Sequence, residues 1–172
     1  DLGRTGAGFD LAPTRPDIRQ ADARQLPLPA ASGDFSFIDP PYSTHVDYSD
    51  DPRCIGKLDA GGDDGGRAYY EAMDRVIDEI DRVLKPGRHM ALYVSDSWRK
   101  TKGGAPGDGV FMPIGFELFG RMCQRFEPCD IVAVVRHNAK LGKGNWHKAA
   151  EEQNFFLRGF NYLFIMRKPT GR

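Results

Sequence analysis

Residues 35–42, Phe-Ser-Phe-Ile-Asp-Pro-Pro-Tyr, constrain this chain more than any other stretch. The apolar-rich residues 35–38 read as a buried strand, and Pro40 and Pro41 end it, because proline has no N–H for a ladder and a fixed φ. The turn that follows is stiff. It offers carbonyl acceptors without competing donors and keeps the Asp39 carboxylate near the Tyr42 ring. Ligands of open α/β sheets sit just beyond the carboxyl ends of the strands. A carboxylate, the Pro40 carbonyl and a flat aromatic at such an end suit a planar ring that carries an exocyclic amine.

The flanking sequence supplies the rest of an alternating α/β pattern. Residues 1–10 read as a helix tail, a Gly turn and a short strand ending in Asp10, whose carboxylate can accept both hydroxyls of a ribose. Leu11 follows and suits an adenine face. Residues 18–21 form a second short strand, and Asp22, followed by Ala23, can accept from an adenine amino group. Residues 67–84 are the clearest helix, with Tyr70, Met73, Ile77, Ile80 and Leu84 on one face. Asp64 is its expected N-cap and Lys85-Pro86-Gly87 its stop, and the helix is expected to pack the core without chemistry. Strands are expected at 89–94, 130–135 and 161–166, and a second amphipathic helix at 113–126.

Three loops carry the remaining functional expectations. Residues 43–66, rich in Gly and Asp, are long enough to be a lid. Residues 99–112 hold cations and glycines that suit phosphate. Residues 137–154 interleave Lys140, Lys143, His147 and Lys148 with Asn138, Asn145 and Trp146, a mixture suited to phosphates, base edges and a base face.

Composition narrows the classes. A chain of 172 residues, 40% hydrophobic and 28% charged, is expected to be one globular domain spanning 1–172. No apolar run approaches the ~20 residues of a membrane span, and no signal peptide opens the sequence. Cys54, Cys123 and Cys129 form no Cys-x-x-Cys, which argues against a disulfide framework or a zinc site and fits a reducing cytoplasm. His137 and His147 lack acids at ligand spacing, so no metal is expected. The net charge of zero divides unevenly: residues 1–84 carry nine Lys/Arg against 17 Asp/Glu, and the remainder carries 15 against seven. A basic second half points to nucleic acid.

Asp39-Pro40-Pro41-Tyr42 resembles the catalytic tetrapeptide of S-adenosylmethionine-dependent DNA amino methyltransferases, which act on adenine N6 or cytosine N4. The resemblance extends over nearly the whole chain. It implies a Rossmann-like class I methyltransferase sandwich, α/β, with a mostly parallel sheet and an antiparallel last strand. It carries cofactor contacts onto Asp10, Leu11, Asp22, Ala23 and Asp39, and catalysis onto Asp39, Pro40 and Tyr42. Contacts to a flipped DNA base fall on Pro41, Ser43, Lys140, Asn145, Trp146 and Lys148. The family's Gly-rich cofactor loop and first strand would precede residue 1, so the domain is expected to be N-terminally incomplete or completed by another chain. Adenine N6 is the expected target. Cytosine N4, an RNA base, a protein amide and a non-catalytic nucleic-acid-binding role are the alternatives.

Overall fold

The computed structural model describes residues 3–100, 103, 109–137, 146–153 and 156–171. Its main sheet has four strands in the order β3-β4-β8-β7, where β3 is Gly33–Ile38, β4 Leu84–Val94, β8 Phe160–Arg167 and β7 Glu127–Val135. The β3–β4 pair is parallel; β8 runs antiparallel to both β4 and β7. Gly8–Asp10 (β1) and Ile18–Gln20 (β2) form a separate parallel pair. The antiparallel last strand agrees with the expectation from the resemblance.

One face of the main sheet makes the core. Met90, Leu92 and Val94 of β4 and Phe164 and Met166 of β8 pack with α1 (Arg67–Val83) and α2 (Ile114–Met122). The helical faces meeting them include Met73, Val76, Ile77 and Ile80 from α1 and Ile114, Leu118 and Met122 from α2, all buried. Each such side chain contributes roughly 1.5–3 kcal/mol by leaving water. The N-cap position is Gly66 rather than the expected Asp64, although the Asp64 carboxylate, two residues earlier, accepts the N–H groups of Gly66 and Ala68. Gly66 itself has φ +78°, and a Cβ there would run into the Ala60 carbonyl.

Four further expectations need correction. The strand at 35–38 is not buried on both faces: Phe35 and Phe37 are 56% and 59% exposed. Ser36 and Ile38 share register with Met90 and Leu92 on the core face, whereas Phe35 and Phe37 pair with His89 and Ala91 on the opposite one. Helices α1 and α2 cover only the first. Residues 85–87 do not separate helix from strand, because β4 begins at Leu84 and a register shift between Gly33 and Phe35 accommodates them. The 99–112 loop is in part a hairpin, β5 (Ser97–Lys100) against β6 (Gly109–Met112). The 137–154 loop contains a helix, α3 (Trp146–Gln153).

The segment after β2 is fixed to α1 by a buried carboxylate. Glu79 accepts the Leu26 N–H at 2.6 Å and pairs with Arg82, which also donates to the Leu26 and Leu28 carbonyls. The Arg82 guanidinium holds the Glu79 carboxyl below its usual range. Glu79→Ala leaves the Leu26 N–H and Arg82 without this partner, and a loss of about 1–3 kcal/mol is expected in urea unfolding at pH 7. Because the folded pKa is depressed, the wild-type contribution is complete above about pH 5 and is lost as pH falls through it. The difference between wild type and variant therefore shrinks in acid. An undiminished difference at pH 3 would contradict this assignment.

Candidate functional site

The turn after β3 cannot hold itself with backbone donors at Pro40 and Pro41, so its position is set from outside. Pro40 is buried and Asp39 exposed. Tyr69, fully buried in α1, donates its hydroxyl to the Pro41 carbonyl at 2.8 Å. The Tyr42 hydroxyl donates to Asp39 Oδ1 at 2.9 Å. Burial, and then the Asp39 carboxylate, push the Tyr42 phenol far above its usual pKa, so it stays protonated and keeps donating. Burial and the Asp39 charge also raise Tyr48, and Tyr93 of β4 bears on Tyr42. A carboxylate with one oxygen steered by a phenol thus stands among tyrosines at the carboxyl end of a parallel strand.

Ser43 has φ +62° and is buried, with its hydroxyl engaged by Asp59 Oδ1 and the Ala60 N–H. Its hydroxyl is thereby engaged in closing the loop. The residues after it contain two single turns of 3₁₀ helix, Ser43–His45 and Ile55–Lys57. They are bound down at several points. His45 Nδ1 meets Ser97 Oγ at 3.2 Å, and Arg99 pairs with Asp59 and donates to the Gly61 carbonyl. Gly56 lies so close to Pro41 and Tyr48 that a Cβ would come within 2.8 Å of the Tyr48 ring. These ties make the segment a closed cover rather than a free loop.

Asp10 and Asp22 stand at the carboxyl ends of the parallel pair β1–β2, with the Ala21 N–H bonded to the Asp10 carbonyl. Asp10 is exposed and its Oδ1 accepts the Ala12 N–H. Leu11 is half-buried beside it. Asp22 is already paired: Arg24 donates to both its oxygens and lowers its pKa. Arg24 also reaches the Arg53 carbonyl, linking this turn to the cover over Pro41. Ala23 is exposed between them.

Asn138, Lys140, Lys143 and Asn145 lie outside the described residues. Trp146 begins α3, and Lys148 is exposed, 3.6 Å from Glu152 one turn on. Much of the basic second half is spent within the fold. Lys85 and Arg88 pair with Asp34, Arg99 with Asp59, Arg121 with Asp74, Arg125 with Asp78 and Lys168 with Asp81. The charge asymmetry is therefore partly internal pairing. Described basic residues of the second half outside these pairs include Arg136, His137, His147 and Arg158. A cavity of about 630 Å³ lies elsewhere, between residues 60–67, β6 and the start of α2; no residue of the Asp39 turn lines it. Its Arg99 and Arg121 are bound to Asp59 and Asp74. Among the described residues, no cluster of three His, Cys, Asp or Glu side chains could hold a metal, and no helix is long and apolar enough to cross a membrane.

The chain is similar in fold to TTHA0409 of Thermus thermophilus, a protein provisionally named a DNA modification methylase. Its complex with S-adenosyl-L-methionine matches 88% of this chain and 54% of its own length, with TM-score 0.59 and 21% identity. Another structure of that protein matches 88% and 53%, with TM-score 0.58 and 20% identity. This chain thus spans about half the length of these structures. No family model and no curated protein matches it. The fold is Rossmann-like, of the class I methyltransferase type.

Sequence reasoning assigns α1 to packing alone and so misses Tyr69. An aromatic on a core face gives no sign that its hydroxyl reaches a turn 28 residues earlier. Tyr69→Phe removes that donor and leaves the Pro41 carbonyl without it, for an expected loss of about 1–3 kcal/mol in chemical denaturation. A stability within error of wild type would show that Tyr69 does not hold the turn.

Proposed function

We propose that this chain carries the catalytic site of an S-adenosylmethionine-dependent methyltransferase that modifies an exocyclic amine of a DNA base, adenine N6 by preference. The observation that carries the reading is the Asp39 carboxylate, steered by Tyr42 on a turn fixed by Tyr69 at the carboxyl end of β3. The fold shared with a protein solved in complex with S-adenosyl-L-methionine supports it.

An exocyclic amine is a weak nucleophile because its lone pair is delocalised into the ring. Asp39 Oδ2 and the Pro40 carbonyl are the acceptors for its two hydrogens; bonding to them draws the lone pair back onto nitrogen. Tyr42 spends its hydroxyl on Asp39 Oδ1 and offers its ring face to the base, a stacking contribution of roughly 1–3 kcal/mol. Asp39 also stands where the proton released by the amine can be taken, directly or through water. The base leaves the duplex so that its amine can reach this turn, and Lys140, Asn145, Trp146 and Lys148 hold the strand it leaves.

S-adenosylmethionine, when bound, supplies a methyl group already activated on a sulfonium. The residues present fit it. Asp10, exposed at a strand end, has acceptor capacity left for ribose hydroxyls, and Leu11 offers an apolar surface beside it. Asp22 and Ala23 border the adenine position, with Asp22 using the lone pairs that Arg24 leaves. By the resemblance to the amino methyltransferases, an acid at position 39 favours adenine over cytosine as the target, and DNA over RNA or a protein amide.

Asp39→Ala tests the reading. Methyl transfer to unmodified DNA should fall by at least about a hundredfold, while calorimetric binding of S-adenosylmethionine changes little. Full transfer by this variant would refute the assigned chemistry.

A further inference from the structure

The polar groups at the carboxyl edge of the main sheet divide by face. On the helix face they are satisfied. Asp96 accepts the Gly115 N–H and the Tyr162 hydroxyl, both at 3.0 Å, which ties β4 and β8 to the start of α2. On the opposite face stands Asn161, in register with Val134 and next to the Val94–Tyr162 pair. It is only 5% exposed, yet its Oδ1 has no partner among the described residues. Buried polar atoms are almost always paired, and an exception calls for an explanation.

Its surroundings are polar too. Ser95, adjacent to Val94, is buried, and the Arg136 guanidinium approaches the Ser95 hydroxyl at 3.4 Å and the Phe160 carbonyl at 3.3 Å. Alternation along the strands puts Asn161, Ser95 and Tyr93 on the same face as Phe37 and, one step on, Asp39. Strand β4 separates β3 from β8, and continuing the registers puts Asp39 level with Tyr93 and Asn161 two residues further along, level with Ser95, so their backbones stand roughly 12 Å apart. That is of the order of a nucleobase with a hydrogen bond of about 3 Å at either edge.

We infer that Asn161 is a base-binding residue, its carboxamide bonding the ring edge of the acceptor nucleobase remote from the amine that Asp39 receives. The inference rests on the methyl-transfer reading for the identity of the base, and on the orphaned amide and the sheet register for its place. A carboxamide carries a donor and an acceptor side by side, as a base edge does, and rotation of its last torsion presents either. In the free protein Asn161 Oδ1 has no partner among the described residues, and the base would supply one in the complex.

The test uses the wild-type protein and Asn161→Leu, which replaces the amide by an apolar group of similar size. In the wild type, the side-chain amide signals of Asn161 should shift in nitrogen–proton NMR spectra on titration with 2′-deoxyadenosine 5′-monophosphate. In the variant, KM for a single-stranded oligodeoxynucleotide should rise at least tenfold, with a smaller change in kcat, unchanged affinity for S-adenosylmethionine, and a Tm equal to or above wild type. Unmoved Asn161 signals at nucleotide concentrations that saturate other shifts would overturn the inference, and so would a folded variant with wild-type KM. An Asn161 shift in a wild-type protein that transfers no methyl group would uphold this site and sink the methyl-transfer reading alone.

Discussion

The hydrogen bond from the buried Tyr69 hydroxyl to the Pro41 carbonyl is the contact on which the site depends. Two successive prolines end a strand cleanly, but they leave a turn short of donors and unable to close on itself. Rigidity of the backbone is then supplied by proline, and position by everything around it. Tyr69 reaches up from the core, Tyr42 orients the carboxylate, and Gly56 lets the cover descend onto Pro41. The hydrophobic core fixes α1, α1 fixes Tyr69, and Tyr69 fixes the turn. A catalytic carboxylate on an exposed edge thereby inherits the stiffness of the interior.

The same logic explains the distribution of charge. An acidic first half and a basic second half look, in the sequence, like a surface prepared for a polyanion. In the fold, pairs such as Asp34 with Lys85, Asp74 with Arg121 and Asp81 with Lys168 join the two halves. Most of these side chains are at least partly exposed, so solvent screens each pair and its contribution to stability is small. Their larger consequence is that fewer cations are left for phosphate.

Where local chemistry dictates structure, the sequence is readable. The 3.6-residue period of α1 and the stop at Pro40 appear where residue type places them, and the Asp64 carboxylate bonds the first turn from two residues before the Gly66 cap. The Asp39–Tyr42 turn was legible because its residues are contiguous. Contacts over long separations were not: nothing in residues 67–83 marks Tyr69 as the partner of Pro41, and nothing near Ser43 announces that it pins Asp59 and Ala60. The exposure of Phe35 and Phe37 was hidden for a related reason. Strand alternation says which residues share a face, but only the placement of the helices says which face is covered.

The most direct test of the account is nucleoside mass spectrometry after the protein has been incubated with S-adenosylmethionine and unmodified DNA or RNA. The account predicts N6-methyladenine in the DNA digest and none when Asp39 is replaced. Methylation confined to RNA, or a methylated product that persists in Asp39→Ala, would contradict it.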